Sequence, residues 1–115
     1  MLSVILYGRN DAHGYNLHKR AALSLNALAA VLTEPDDELI FVDYNTPDEL
    51  PTFPEAIADT LTDACKARLR ILRVRPAYHA RFAGQTRLVA LEPQSRNIAI
   101  RRANPANRWV LSTLW

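Results

Sequence analysis

The residues with the most chemical promise lie where apolar runs end. Asp43 closes the run Glu38-Leu-Ile-Phe-Val-Asp43 and opens a loop that holds Pro47 and Pro51. A carboxylate so placed can accept hydrogen bonds from a ribose hydroxyl or a base N–H. It can equally cap a neighbouring backbone N–H, and the sequence leaves both roles open. A polar stretch, entered through Tyr7, Gly8, Arg9, Asn10 and Asp11, follows a shorter apolar run. Arg96 falls in the expected first turn of the last helix, where a cation beside the positive helix end suits a diphosphate; a solvated arginine is the plain alternative. Asn97 offers both a donor and an acceptor, fit for a ligand or for tying down a loop.

Other chemistry is disfavoured. The three glycines, Gly8, Gly14 and Gly84, form neither G-x-G-x-x-G nor a Walker loop, which argues against ordinary dinucleotide domains and P-loop enzymes. His13, His18 and His79 have no second ligand at metal spacing and read as isolated surface histidines. No metal site is therefore expected in this chain. Cys65, the sole cysteine, cannot form an internal disulfide and reads as a buried structural thiol. No Ser/His/Asp set follows from spacing.

Apolar residues at 49% and charged residues at 23% are ordinary for a globular chain, which excludes a disordered tail or a fibrous repeat. The run Met1 to Tyr7 is too short to span a bilayer and lacks a basic flank, so no membrane span or signal peptide is expected. With a lone cysteine, this predicts a cytoplasmic protein. The net charge of +2 conceals a split. Residues 1–65 carry three cations against eleven acids, a net of −8, and residues 66–115 carry eleven cations against one acid, Glu92, a net of +10. Either the second half faces an anion or the two halves neutralise each other across the fold.

These residues need a scaffold, and the patterning supplies one. Ser3 to Tyr7, Glu38 to Asp43, Leu69 to Val74 and Trp109 to Ser112 read as strands, the third nearer an edge. Leu17, Ala21, Leu25, Leu28 and Leu32 make one helical stripe, stopped by Glu34-Pro35. Thr52 and Glu55 have capping-box spacing before a helix expected to run to about Ala67. Pro76 to Leu88 has no clean period and reads as a mobile loop. Pro93 begins a helix that Asn104-Pro105 ends. Alternating strands and helices predict an α/β, Rossmann-like open and mainly parallel sheet with helices on both faces, as one domain over residues 1–115. In such sheets, ligands sit beyond the carboxyl ends of the strands. Tyr7 to Asp11, Asp43 to Asn45, Pro76 to Arg81 and Ser112-Thr113 should therefore share a rim.

Four segments in order, Ser3-Val-Ile-Leu-Tyr-Gly-Arg-Asn-Asp11, Glu38-Leu-Ile-Phe-Val-Asp43, Ser95-Arg-Asn-Ile-Ala-Ile-Arg-Arg-Ala103 and Arg108-Trp-Val-Leu-Ser-Thr113, resemble the amino-terminal half of GT-A glycosyltransferases of the family-2 type. The resemblance covers essentially the whole chain. It implies a nucleotide-diphosphate-sugar donor of the UDP or GDP type. By it, Tyr7, Gly8, Arg9, Asn10 and Asp11 flank the nucleobase, Asp43 binds uracil or ribose, and Arg96 and Asn97 match an Arg-Asn pair near the sugar diphosphate. Ala99 stands where the family often has glycine.

In that family the fourth strand leads into a D-x-D-like motif, or T-N-x-D in a subgroup, that holds Mn²⁺ or Mg²⁺. Here the chain reads Ser112-Thr113-Leu114-Trp115 instead. The resemblance thus implies a domain truncated at its carboxyl end, a metal bound only in a longer parent, and no turnover by these residues alone. Leu114-Trp115 beside a bare final strand predicts self-association. A second hypothesis is a non-catalytic binding or assembly module whose basic half meets a nucleic acid or an acidic partner. On that reading Arg68, Arg70, Arg73 and Arg75 share one sheet face. With few aromatics among the arginines, nucleic acid is the weaker of the two. Nucleotidyl transfer ranks last, because Gly8-Arg-Asn-Asp11 is not a glycine-rich loop.

Overall fold

A computed structural model describes residues 1–10 and 17–113, with side chains from residue 20 onward in the second stretch. Asp11, His13 and Leu114-Trp115 lie outside the described residues, as does the His18 side chain. The elements run β1 (Leu2–Gly8), α1 (Leu17–Val31), β2 (Glu38–Tyr44), α2 (Phe53–Ala56), a 3₁₀ turn (Ala58–Thr60), α3 (Asp63–Arg68), β3 (Leu69–Val74), α4 (Pro76–His79), α5 (Glu92–Arg102) and β4 (Trp109–Ser112). Among the described residues the strands form one sheet in the order β3-β2-β1-β4, every pair parallel.

The sheet is open, with helices on both faces, as the patterning predicted. β2 is buried over its whole length because it lies inside the sheet and is covered on each side. Its alternate residues serve different cores. Leu39 and Phe41 join Val4 and Leu6 under α1, α2 and α3, where Leu25, Phe53 and Cys65 pack. Ile40, Val42 and Tyr44 join Ile5 on the other face, under Leu91 and Ala99 of the α5 region. α5 packs chiefly over β1 and β2, so β3 is less covered on that face. β3 is an edge strand, as expected. At the opposite edge β4 is exposed throughout, with Trp109 68% accessible. No helix among the described residues is long and apolar enough to cross a membrane.

Two expectations need correction. The helix expected over 52–67 is broken into α2, the 3₁₀ turn and α3. Thr52 starts α2 with a reciprocal capping box to Glu55, and Thr62 caps a fresh start through Cys65 N–H at 3.1 Å. A second capping residue mid-segment offers the backbone an exit from the helix that apolar spacing does not reveal. The segment read as a mobile loop opens with α4, and Tyr78 and Phe82 pack against the α5-side core.

Candidate functional site

All carboxyl ends of the parallel strands fall on one rim. The connections from β1 to β2 to β3 progress one way across the sheet, and the next strand returns to the far side of β1. The switch point is therefore between β1 and β4, where open α/β sheets form their ligand crevice. Tyr7 and Gly8 end one bordering strand, and Ser112-Thr113 end the other.

Past β1, the chain is stitched to the β2 loop. Arg9 Nε–H donates to Asn45 O at 2.6 Å, Asn10 N–H to Thr46 Oγ1 at 2.9 Å, and Asn10 Nδ2 to Pro51 O at 2.9 Å. Asn45 makes the tight exit from β2 with φ of 61°, the left-handed region that Asn tolerates better than most residues. Its backbone N–H donates to Val74 O at 2.8 Å, and its Nδ2 to Val89 O at 2.9 Å. The carboxyl ends of β1, β2 and β3 are thus tied together through one strained asparagine.

Asp43 stands at the end of β2 but is wholly buried. Its Oδ1 accepts from Phe53 N–H at 2.8 Å, at the start of α2. Of the two roles left open by the sequence, the backbone cap is the one formed. Oδ2 is buried with no hydrogen-bond partner among the described residues. Burial pushes the carboxyl pKa up, against the pull of the Phe53 N–H and the nearby Arg73. As it stands, Asp43 shapes the β2 loop from beneath and offers no surface to a ribose.

Above β1 lies a three-residue polar cluster. Tyr7 OH donates to Glu92 Oε2 at 3.3 Å, and Arg96 pairs with the other Glu92 oxygen. Burial raises the Tyr7 pKa, and the Glu92 charge and hydrogen bond raise it further, so Tyr7 is a neutral phenol at physiological pH. Arg96 Nε is buried with no hydrogen-bond partner among the described residues. Because α5 begins at Glu92, Arg96 lies in its second turn and not, as expected, at its positive end. Glu92 occupies the first turn, where an acid complements the helix dipole. Asn97, one residue on, is exposed on a different side of α5 and lines a groove against β3. Helical geometry separates the Arg96 and Asn97 side chains, and the structure does not bring the pair to one point.

The arginines of β3 do not share a face. Arg70 reaches Glu38 Oε1 at 2.6 Å and Arg102 O at 2.9 Å on the α5 side. Arg73 Nη2 reaches Pro47 O at 3.0 Å and Leu50 O at 2.6 Å. An odd spacing between 70 and 73 sends alternate side chains to opposite faces. Arg68 binds the carbonyls of Glu34 and Asp37 at 2.8 and 3.0 Å, and Arg75 pairs with Asp48 at 3.1 Å. Two ion pairs, Arg70 with Glu38 and Arg75 with Asp48, therefore join the basic half to the acidic half, while Arg68 and Arg73 hold carbonyl oxygens and keep their charge. Arg101 and Arg102 on α5 are exposed and belong to none of the ion pairs found among the described residues.

His79, expected at the surface, is buried, and its Nδ1 lies 2.9 Å from Tyr44 OH. Cys65 is buried as expected, and burial raises its thiol pKa. Among the described residues no three His, Cys, Asp or Glu side chains come together to hold a metal ion. The sequence places Asn45 on the rim without a role and does not single out Glu92 or Thr46 as site residues. The Glu92–Arg96 spacing was a readable i,i+4 pair, whereas the Asn45 turn had only its residue type as a signal. Comparison of the chain with protein-family models, curated proteins and solved structures finds no match in any of the three.

Proposed function

We propose that the chain is the donor-binding portion of a glycosyltransferase that takes a sugar from a UDP- or GDP-type nucleotide diphosphate. The observation that carries this reading is the Tyr7–Glu92–Arg96 cluster at the carboxyl end of β1, the strand that borders the switch point. A half-exposed phenol ring offers a flat, amphipathic face to a base. The guanidinium offers a planar, permanently charged fork to a diphosphate, and its buried Nε–H has no acceptor among the described residues. The tied loops after β1 and β2 hold that rim in place beforehand, which lowers the ordering cost of binding.

In this reading Tyr7, Gly8 and Arg9 line the base side, and Arg96 meets the phosphates. Asn10 and Asp43 act beneath them as positioning residues for the two loops. Glu92 is a built-in competitor, because it neutralises Arg96 in the free chain.

Calorimetric titration with UDP and GDP tests this. Saturable binding of one nucleotide is expected, with Arg96→Ala weakening it about fivefold or more, roughly 1 kcal/mol. Glu92→Gln should strengthen it, since the amide leaves the cation free. A folded chain that binds neither nucleotide, or an Arg96→Ala variant that binds as tightly as the parent, would contradict the proposal.

A further inference from the structure

A second, unassigned site runs along the other edge of the sheet. Between β3 and α5 lies an open groove of about 680 Å³, away from the Tyr7–Glu92–Arg96 cluster. One wall is a helical stripe at i, i+3, i+4, i+7 and i+8, namely Gln94, Asn97, Ile98, Arg101 and Arg102. The other is the β3 stretch Ile71 to Arg75. The stripe is about 12 Å long at the helical rise. Five strand residues span about 13 Å. Two parallel rails of matched length define a slot that fits some four residues of extended chain.

Three properties of the slot select its occupant. β3 is an edge strand, paired to β2 alone among the described residues, so its outward N–H and C=O groups are available for a further ladder. Leu72, Tyr78 and Ile98 give an apolar floor. Cations stand at both ends: Arg101 and Arg102 at the carboxyl end of α5, and Arg75, paired with exposed Asp48, by the end of β3. Main-chain pairing to a sheet edge recognises a peptide and not a nucleic acid, whose bases would need stacking platforms of which only Tyr78 is present. The amide side chains of Gln94 and Asn97 can bond a passing backbone.

From this geometry we infer that the β3–α5 groove binds an acidic, extended peptide segment of a partner protein, added as a strand to β3 with its carboxylates on Arg101, Arg102 and Arg75. Acidic residues toward the ends of such a peptide meet the cations, and apolar residues between them lie over the floor. The inference is independent of nucleotide binding at the rim.

Fluorescence anisotropy on the full chain tests it, with a labelled peptide of sequence Glu-Val-Glu-Ile-Glu-Val-Glu. Saturable binding is expected, weakened at least tenfold by the double variant Arg101→Glu/Arg102→Glu. Both side chains are exposed, so circular dichroism should report an unchanged fold. Methylating alternate backbone nitrogens of the peptide keeps its charge and removes its donors, and should also weaken binding at least tenfold. Equal binding of the methylated peptide would overturn strand addition in favour of plain charge attraction. Tighter binding of a single-stranded oligonucleotide than of the peptide would overturn the choice of partner. No saturable binding would overturn the site.

Discussion

Asp43 shows how one side chain can carry two readings until its surroundings are known. Its position at a strand end was legible, because an apolar run that stops at an acid is a plain signal. Its burial was not, because Phe53 is ten residues on and its N–H points back only once α2 folds over the loop. Replacing Asp43 by Ala removes the carboxylate that this buried N–H donates to, and thermal unfolding should show a loss of about 1–3 kcal/mol. Asp37 gives a pH signature of opposite character. The amino-terminal ammonium at 2.5 Å, helped by the backbone N–H groups of Glu34 and Leu2 and opposed by burial, lowers its pKa to about 2 from 3.8. A depressed carboxyl stabilises the fold above its ordinary pKa, and that contribution fades as pH falls through the window from about 4 to about 2. Thermal melts across this window should fall steeply for the parent chain and less so for Asp37→Asn; identical profiles would remove the pairing from the account.

At the scale of elements, the strands were the most legible part, since strands buried on both faces must be apolar throughout. β3 was read to its observed ends, and even its edge position followed from the arginines that interrupt it. The helices were harder. Thr62 restarts a helix because its hydroxyl meets Cys65 N–H, a local choice hidden beneath a continuous apolar stripe. Pro76 to Leu88 lacked a period because its order comes from Tyr78, His79 and Phe82 packing against Tyr44 and one another. The candidate site was legible as a set of strand ends but not as partners, since Tyr7 and Glu92 are 85 residues apart. β4 makes its own prediction. Trp109, Val110 and Leu111 are all exposed on an edge strand, an open template for a second copy. Sedimentation at rising protein concentration should show association, and Leu111→Lys should reduce it; a monomer at every concentration would count against edge pairing.

Across the whole molecule, part of the basic half serves as a structural device. Arg68, Arg70, Arg73 and Arg75 clamp the loops and turns of the acidic half, so the basic strand holds the sheet's edge to its neighbour. What is left over, on α5 and at the rim, is where ligands can be expected. The rim rests on a strand order that creates a switch point beside β1, and the groove rests on an edge that no further strand pairs among the described residues. These two surfaces separate cleanly in one experiment. Backbone amide NMR of the isotope-labelled chain, titrated with UDP and then GDP, reads every position at once. The account predicts saturable shifts clustered at Tyr7 to Asn10, Asn45-Thr46, Glu92 to Arg96 and Ser112-Thr113, with β3 unmoved. Shifts confined to β3 and the far side of α5, or no saturable shifts with either nucleotide, would contradict it.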